Sequence, residues 1–281
     1  MKLTNPEVIR NIMNKSGVKF NKGLGQNFLI DDSVLADIVE GSEIDKDTAV
    51  IEVGPGIGCL TQALAERAGR VVSIEIDKGL IPLLKSLFVA YNNVDIIEGD
   101  ILKTDLHALI SSFEGMKVRV AANLPYYITT PIIMKLLEEN LPILSLTVMI
   151  QKEVAQRIAA APGGKEYGAL SVAAQYYSDI EIIREVPAHC FMPAPKVDSA
   201  VVKMTINKKD LGVDEKKFFR IVKAAFSQRR KTLINSLDGS HFYQMDKQQI
   251  KQALEQIGLN EKVRGETLTL EQFAELSNII E

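Results

Sequence analysis

Residues 49–69, AVIEVGPGIGCLTQALAERAG, decide the fold. A short run rich in β-branched residues ends in Glu52-Val53-Gly54-Pro55-Gly56-Ile57-Gly58, and a helical pattern opens directly behind it. Apolar strand, glycine turn and helix in that order begin a βαβ unit, where glycines let the backbone turn sharply and approach a ligand closely. The rhythm continues outward through VVSIEI (71–76), a helical stretch to Leu87, VDIIEG (94–99), VRVAAN (118–123), PIIMKLLEE (131–139) and SLTVMI (145–150). Continuous apolar strands are buried on both faces, so the expected fold class is α/β, a mostly parallel sheet covered by helices on both sides. A further helix is expected over 167–178, a strand at EIIREV (181–186), and a last strand at VDSAVVKMTI (197–206), the pair forming a hairpin-like end to the sheet.

After Asn207 the character changes. KKDLGVDEKKFFRIVKAAFSQRRKTLINSL (208–237) and the residues beyond it carry helical periodicity without strand runs. The expected division is therefore a domain over 1–207 and a small all-α domain over 208–281. Asp214, Asp246 and Thr269 are the expected N-caps of three of its helices, with Gly258 closing the second.

The composition excludes several classes. With 281 residues and 46% hydrophobic content, the chain can bury a substantial core, so a disordered or fibrous protein is excluded. MKLTNPEVIRNIMNK lacks the apolar core of a signal peptide, and no later run has the roughly 18 uncharged apolar residues of a membrane helix, so a cytoplasmic protein without a membrane partner is expected. Cys59 and Cys190 have no paired spacing, and His107, His189 and His241 are scattered. No metal site, phosphate loop with lysine or Ser–His–Asp pattern is expected from them.

The net charge of −3 conceals a polarity. Residues 1–30 carry Lys2, Arg10, Lys15, Lys19 and Lys22 against Glu7, a net of +4, and residues 203–231 carry ten Lys and Arg against three acids, a net of +7. The remainder is thus −14, so two basic stretches flank an acidic body, and a local phosphate-binding face is compatible with a low overall isoelectric point.

The glycine turn argues against a dinucleotide. Cys59 stands where the third small residue of that fingerprint belongs, and Glu52 precedes the turn. The spacing looks like the E-x-G-x-G-x-G turn of class I methyltransferases, whose ligand carries a cationic sulfonium and no pyrophosphate. Glu75 ends the second strand, 21 residues after Gly54, where a carboxylate can accept both ribose hydroxyls. Asp100, at the end of the third strand, suits an adenine amine. The fourth strand runs into Asn123-Leu124-Pro125-Tyr126. An aromatic amine is a poor nucleophile because its lone pair is delocalised into the ring, so acceptance of its two hydrogens by the Asn123 side-chain oxygen and the Leu124 carbonyl favours reaction. Pro125 sets the turn, and Tyr126 is placed to stack on an extruded base.

The chain resembles the ribosomal RNA adenine dimethylase family, within it the branch acting on the bacterial small subunit. The resemblance rests on GLGQNFLID (23–31), VIEVGPGIGCLT (50–61), VVSIEID (71–77), EGDIL (98–102), ANLPYYITTPI (122–132), MIQKEVAQRI (149–158), YGALSV (167–172), FMPAPKVDSAVV (191–202) and FSQRRKTL (226–233), which span most of the chain in order. It implies a class I methyltransferase Rossmann-like catalytic domain, S-adenosylmethionine as cofactor, and dimethylation of two adjacent adenines in a hairpin near the end of small-subunit rRNA, within an assembly particle and by a monomer. It further implies that Gln26, Asn27 and the Leu29 backbone lie against the cofactor, that Gly54 approaches its methionine part, and that Glu75, Asp100 and Asn123 hold the ribose, the adenine amine and the methyl end. Tyr126 and Phe191 are implied to sandwich the target adenine, and Arg229, Arg230 and Lys231 to contact rRNA. Three alternatives stand beside this reading: a large-subunit methylase giving macrolide resistance, whose members commonly have Ile where Leu124 stands; a non-catalytic RNA-binding assembly factor on a relict fold; and a small-molecule or protein methyltransferase, which needs neither the basic cluster nor the aromatic clamp.

Overall fold

A computed structural model describes residues 2–17, 22–238 and 246–280; Lys19 and His241 lie outside them. Two compact units divide the chain, one of residues 1–155 and 179–206, the other of 156–178 and 207–281.

The first unit contains α1 (Pro6–Ser16), β1 (Phe28–Leu29), α2 (Asp32–Gly41), β2 (Thr48–Val53), α3 (Cys59–Arg67), β3 (Arg70–Glu75), α4 (Ile81–Leu87), β4 (Val94–Glu98), α5 (Leu106–Ser111), β5 (Lys117–Asn123), α6 (Thr129–Glu138) and β6 (Ser145–Gln151). After α7 (Lys152–Ala159) and α8 (Ala169–Tyr177), the chain adds β7 (Ser178–Val186), β8 (Phe191–Met192) and β9 (Ser199–Ile206). A seven-stranded sheet runs β4-β3-β2-β5-β6-β9-β7, parallel from β4 to β6, with β9 antiparallel to β6. The expected α/β class is thus the observed one. Every residue of β2 is buried, as is all of β3 beyond Arg70, which is why these runs read as continuously apolar. At the sheet margin β4 is only partly buried, with Ile97 exposed. Strand order reverses between β3 and β5, on either side of β2, so the crevice outside the carboxyl ends of these strands is where an open α/β sheet binds its ligand. A separate two-residue pairing, β1 with β8, sets Leu29 opposite Phe191.

The last two strands are neighbours at the end of the sheet, as expected. Their connection contains the β8 segment, and β9 inserts between β6 and β7. Seven consecutive pairs with β6 align the buried face of β9 with the sheet centre and leave β7 at the edge.

The second unit gathers α8 with α9 (Glu215–Ala225), α10 (Leu233–Asp238), α11 (Lys247–Gln256) and α12 (Leu270–Ile279), and α8 packs on α9. The single expected break at residue 207 is joined by an earlier excursion, residues 156–178. Aromatic packing accounts for it: Tyr176 stacks on Phe218 at 5.2 Å and Tyr177 on Phe219 at 5.6 Å, so α8 belongs to the helical cluster although it leads straight into β7. The three expected caps form. The Asp214 carboxylate accepts from the Lys217 amide (2.8 Å), while Asp246 with Gln249 and Thr269 with Gln272 make reciprocal capping boxes; Gly258 follows α11 with φ +72°. Among the described residues no helix is long and apolar enough to cross a membrane, and no group of His, Cys, Asp and Glu is arranged to hold a metal.

Candidate active site

The carboxyl ends of β2, β3 and β5 open into a cleft of about 1030 Å³, counted out to its mouth, that lies wholly within the first unit. Gln26, Asn27, Leu29, Gly54, Glu75, Asp100 and the tetrad Asn123 to Tyr126 all line it. Among the described residues its lining includes the carboxylates Glu52, Glu75 and Asp100 and no Lys, Arg or His, a polarity that suits a cationic ligand and opposes a pyrophosphate.

The floor is the glycine turn. Gly54 adopts φ +68° with its amide donating to the Ile74 carbonyl (3.0 Å), and a Cβ added there meets nothing within 4 Å. Conformation rather than crowding therefore demands glycine, and the space above it is left for a ligand. Gly58, at φ +90°, differs: its missing Cβ would fall 2.5 Å from Phe88, so this glycine closes α3 onto α4.

Glu75 is buried yet accepts from two backbone amides, Gly56 (3.3 Å) and Asp77 (2.8 Å). Burial raises its carboxyl above the usual range, with those amides opposing. Pinned from the backbone side, the carboxylate keeps lone pairs for further donors. Asp100 accepts from the Leu102 amide (3.0 Å), the turn that ends the third arm of the site. Beneath the floor, Glu52 is sealed in the interior, accepting from the hydroxyls of Thr61 (2.6 Å) and Ser73 (2.5 Å); burial outweighs both donors and lifts its carboxyl to about 7.

The fourth arm is held from three sides. The Asn123 Nδ2 donates to the Asn27 carbonyl (3.1 Å), which turns the amide so that Oδ1 remains available as an acceptor. The Leu124 amide donates to the Met149 carbonyl (3.0 Å), continuing the parallel pairing one residue beyond β5. The Pro125 carbonyl accepts from the Thr129 hydroxyl (3.0 Å), starting the turn that leads into α6. Tyr126 is anchored by a hydroxyl bond to Ser199 Oγ (2.6 Å), and burial raises its phenol above the usual range.

Two positioning residues escaped the sequence reading. Asp77 accepts from Gln26 Nε2 (2.9 Å) and so ties the segment carrying Gln26 and Asn27 to the end of β3. Ser199 fixes the Tyr126 ring. Asp77 lies within VVSIEID and Ser199 within FMPAPKVDSAVV, but nothing local in either stretch discloses a partner 51 or 73 residues away.

Phe191 stands apart. It is 3% exposed, belongs to the hydrophobic core and is not among the residues lining the cleft, because its pairing with Leu29 draws it inward. The basic cluster also divides. Arg229 donates to Glu266 (3.0 Å) and to the Lys165 carbonyl, whereas Arg230 and Lys231 are exposed.

Comparison with known proteins matches this arrangement over nearly its whole length. Residues 17–281 match the family model described as ribosomal RNA adenine dimethylase. The chain is 50% identical over 279 residues to "Ribosomal RNA small subunit methyltransferase A" of Alkaliphilus metalliredigens, covering 98% of this chain and 97% of that one, and 48% identical over 283 residues to the protein of the same name from Bacillus mycoides (99% and 97%). Among solved structures, a dimethyladenosine transferase from Plasmodium falciparum superposes with a TM-score of 0.77 at 27% identity, and the 23S rRNA methyltransferase ErmE with 0.67 at 26%, each covering 90% of this chain and 99% of the other. Glycine floor, acidic walls and the Asn123 tetrad are thus set in a chain that belongs to the ribosomal RNA adenine dimethylase family.

Proposed function

We propose that the protein dimethylates the exocyclic amines of two adjacent adenines in a hairpin near the end of small-subunit rRNA, using S-adenosylmethionine, in the cytoplasm during assembly of the subunit. The observation that carries the reading is the Asn123 amide, held through Nδ2 by the Asn27 carbonyl, which leaves Oδ1 available as an acceptor. Full-length similarity to relatives named as small-subunit rRNA methyltransferases supports the substrate.

The cleft fits the cofactor by charge and by the open space over Gly54. Gln26, Asn27 and Leu29 hold its methionine side with Gly54, Glu75 accepts from the ribose hydroxyls, and Asp100 accepts from its adenine amine. When bound, S-adenosylmethionine supplies the methyl group. The protein's task is then to prepare the amine: Asn123 Oδ1 and the Leu124 carbonyl accept its two hydrogens and draw the nitrogen toward pyramidal geometry, which localises the lone pair. Tyr126 stacks on the extruded base with its ring locked by Ser199, so little side-chain freedom is lost on binding. Phe191 serves as the opposite face of the clamp only if the β1–β8 pairing opens, since the ring is covered. After one transfer the amine keeps a single hydrogen, so the second round relies on one acceptor.

Arg230 and Lys231 supply phosphate contacts for the rRNA, and the Arg229 guanidinium braces the turn that presents them. The test is methyl transfer from labelled S-adenosylmethionine to undermethylated small and large subunits offered separately, with nucleoside analysis. Dimethyladenosine in the small subunit alone is the expected result; label in the large subunit makes the chain a large-subunit methylase instead.

A further inference from the structure

Tyr127 follows the clamp residue Tyr126 but is turned to a different environment. It lines the mouth of the same cleft, is 54% exposed, and is the one aromatic among the large hydrophobic side chains exposed in the described residues. Both tyrosines lie in the 3-10 turn Tyr126–Ile128, where successive side chains point about 120° apart, so the first ring can face inward only if the second faces out. Tyr126 is fastened to Ser199. Tyr127 has no hydrogen bond or ring partner among the described residues.

A Cβ added to Gly25, which adopts φ +61°, would stand 3.7 Å from Tyr127 Cδ1, so the ring lies alongside the turn ahead of Gln26, with room for no more than ordinary contact between them. The ring, at the entrance to the cleft and without a hydrogen-bond or ring partner among the described residues, keeps 54% of its surface in water. A π face offered to the entering strand makes use of that exposure, since every base can stack on it whatever its identity.

We infer that Tyr127 is a second nucleobase platform, stacking on the base next to the target adenine and holding the RNA strand at the cleft mouth while the target enters over Tyr126. This rests on the RNA adenine reading above. It assigns to two consecutive residues the two neighbouring bases of a splayed strand, one deep and one at the surface.

The test compares Tyr127→Ala and Tyr127→Phe with the parent full chain on undermethylated small subunits, measuring kcat, KM for the subunit, and S-adenosylhomocysteine affinity by calorimetry. For Tyr127→Ala, KM is expected to rise about 5- to 150-fold, the range for loss of one base stack. kcat and S-adenosylhomocysteine affinity are expected to stay near parental, and Tyr127→Phe to retain the parental KM. An unchanged KM in the alanine variant overturns the platform. So does an equal loss in the phenylalanine variant, which would give the role to the hydroxyl, or a parallel loss of S-adenosylhomocysteine affinity, which would give the ring to the cofactor. A parent chain that methylates no adenine in the small subunit overturns the underlying function, a different result from a methylating parent whose KM is indifferent to Tyr127.

Discussion

Asn123 has two polar ends with different tasks. Its nitrogen end is spent on the Asn27 carbonyl, and its oxygen end is left as the acceptor that the proposed reaction assigns to the amine. Asn123→Ala is expected to lower single-turnover methyl transfer by at least about 100-fold, the scale of losing one preorganised polar group at a reacting centre, while S-adenosylhomocysteine affinity measured by calorimetry stays close to parental. Glu52 makes a different kind of prediction. Its carboxyl is lifted from 4.5 to about 7 by burial, so the native state keeps a proton that the unfolded chain releases as pH rises between those values. Stability from this group is fully present below about pH 4.5 and declines as pH climbs to 7, by about 3 kcal/mol. Glu52→Gln has no proton to release, so its urea midpoint should gain on the parent's progressively from pH 5 to 7.5; midpoints that stay parallel across that range would show a carboxylate already ionised at pH 5.

At the scale of elements, the site depends on a few well-terminated pieces. The C-terminal ends of β3 and β5 carry Glu75 and Asn123, β2 runs into the glycine turn, and the Gln26–Asp77 and Asn123–Asn27 bonds fasten the segment preceding β1 to the ends of β3 and β5. The helical unit depends on caps instead. Asp214 begins α9, whose Phe218, Ile221 and Val222 are buried, by accepting from the Lys217 amide. Asp214→Ala should cost about 1 kcal/mol in urea unfolding, and Asp214→Asn, which can still cap, should recover most of it. The glycine at Gly58 shows how tightly neighbouring elements are set, since the added Cβ would meet the Phe88 ring between α3 and the end of α4.

For the molecule as a whole, the charge division matters more than the total of −3. An acid-lined cleft and an exposed basic turn sit in separate units of one chain, so the proposed cationic cofactor and polyanionic substrate would each meet a favourable field. Reversing Arg230 and Lys231 to Glu is expected to weaken small-subunit binding and to flatten its dependence on salt by about one unit of log–log slope per lost phosphate contact, measured by sedimentation across a salt series. Thermal stability should change little in that variant because both side chains are exposed. Arg229→Glu should behave otherwise: it sets a carboxylate against Glu266, so a fall in Tm accompanies any fall in binding.

The sheet and its glycine turn can be read from residue order alone, because both rest on local pattern. Continuous β-branched runs report burial on two faces, and glycines at 54, 56 and 58 report backbone angles that other residues avoid. The caps at Asp214, Asp246 and Thr269 were legible for the same reason, each bond closing within three residues. Glu75, Asp100 and Asn123 could be placed at the cleft because a strand end is a local event whose position in a parallel sheet is general. Partners far apart in sequence are visible only once the chain has folded: Asp77 with Gln26, Ser199 with Tyr126, Arg229 with Glu266, and the burial of Phe191 opposite Leu29. The transfer of α8 to the helical unit belongs here too, since its aromatic residues choose partners on α9 that lie about 40 residues ahead, a choice made by packing shape and invisible to any periodicity within the helix itself.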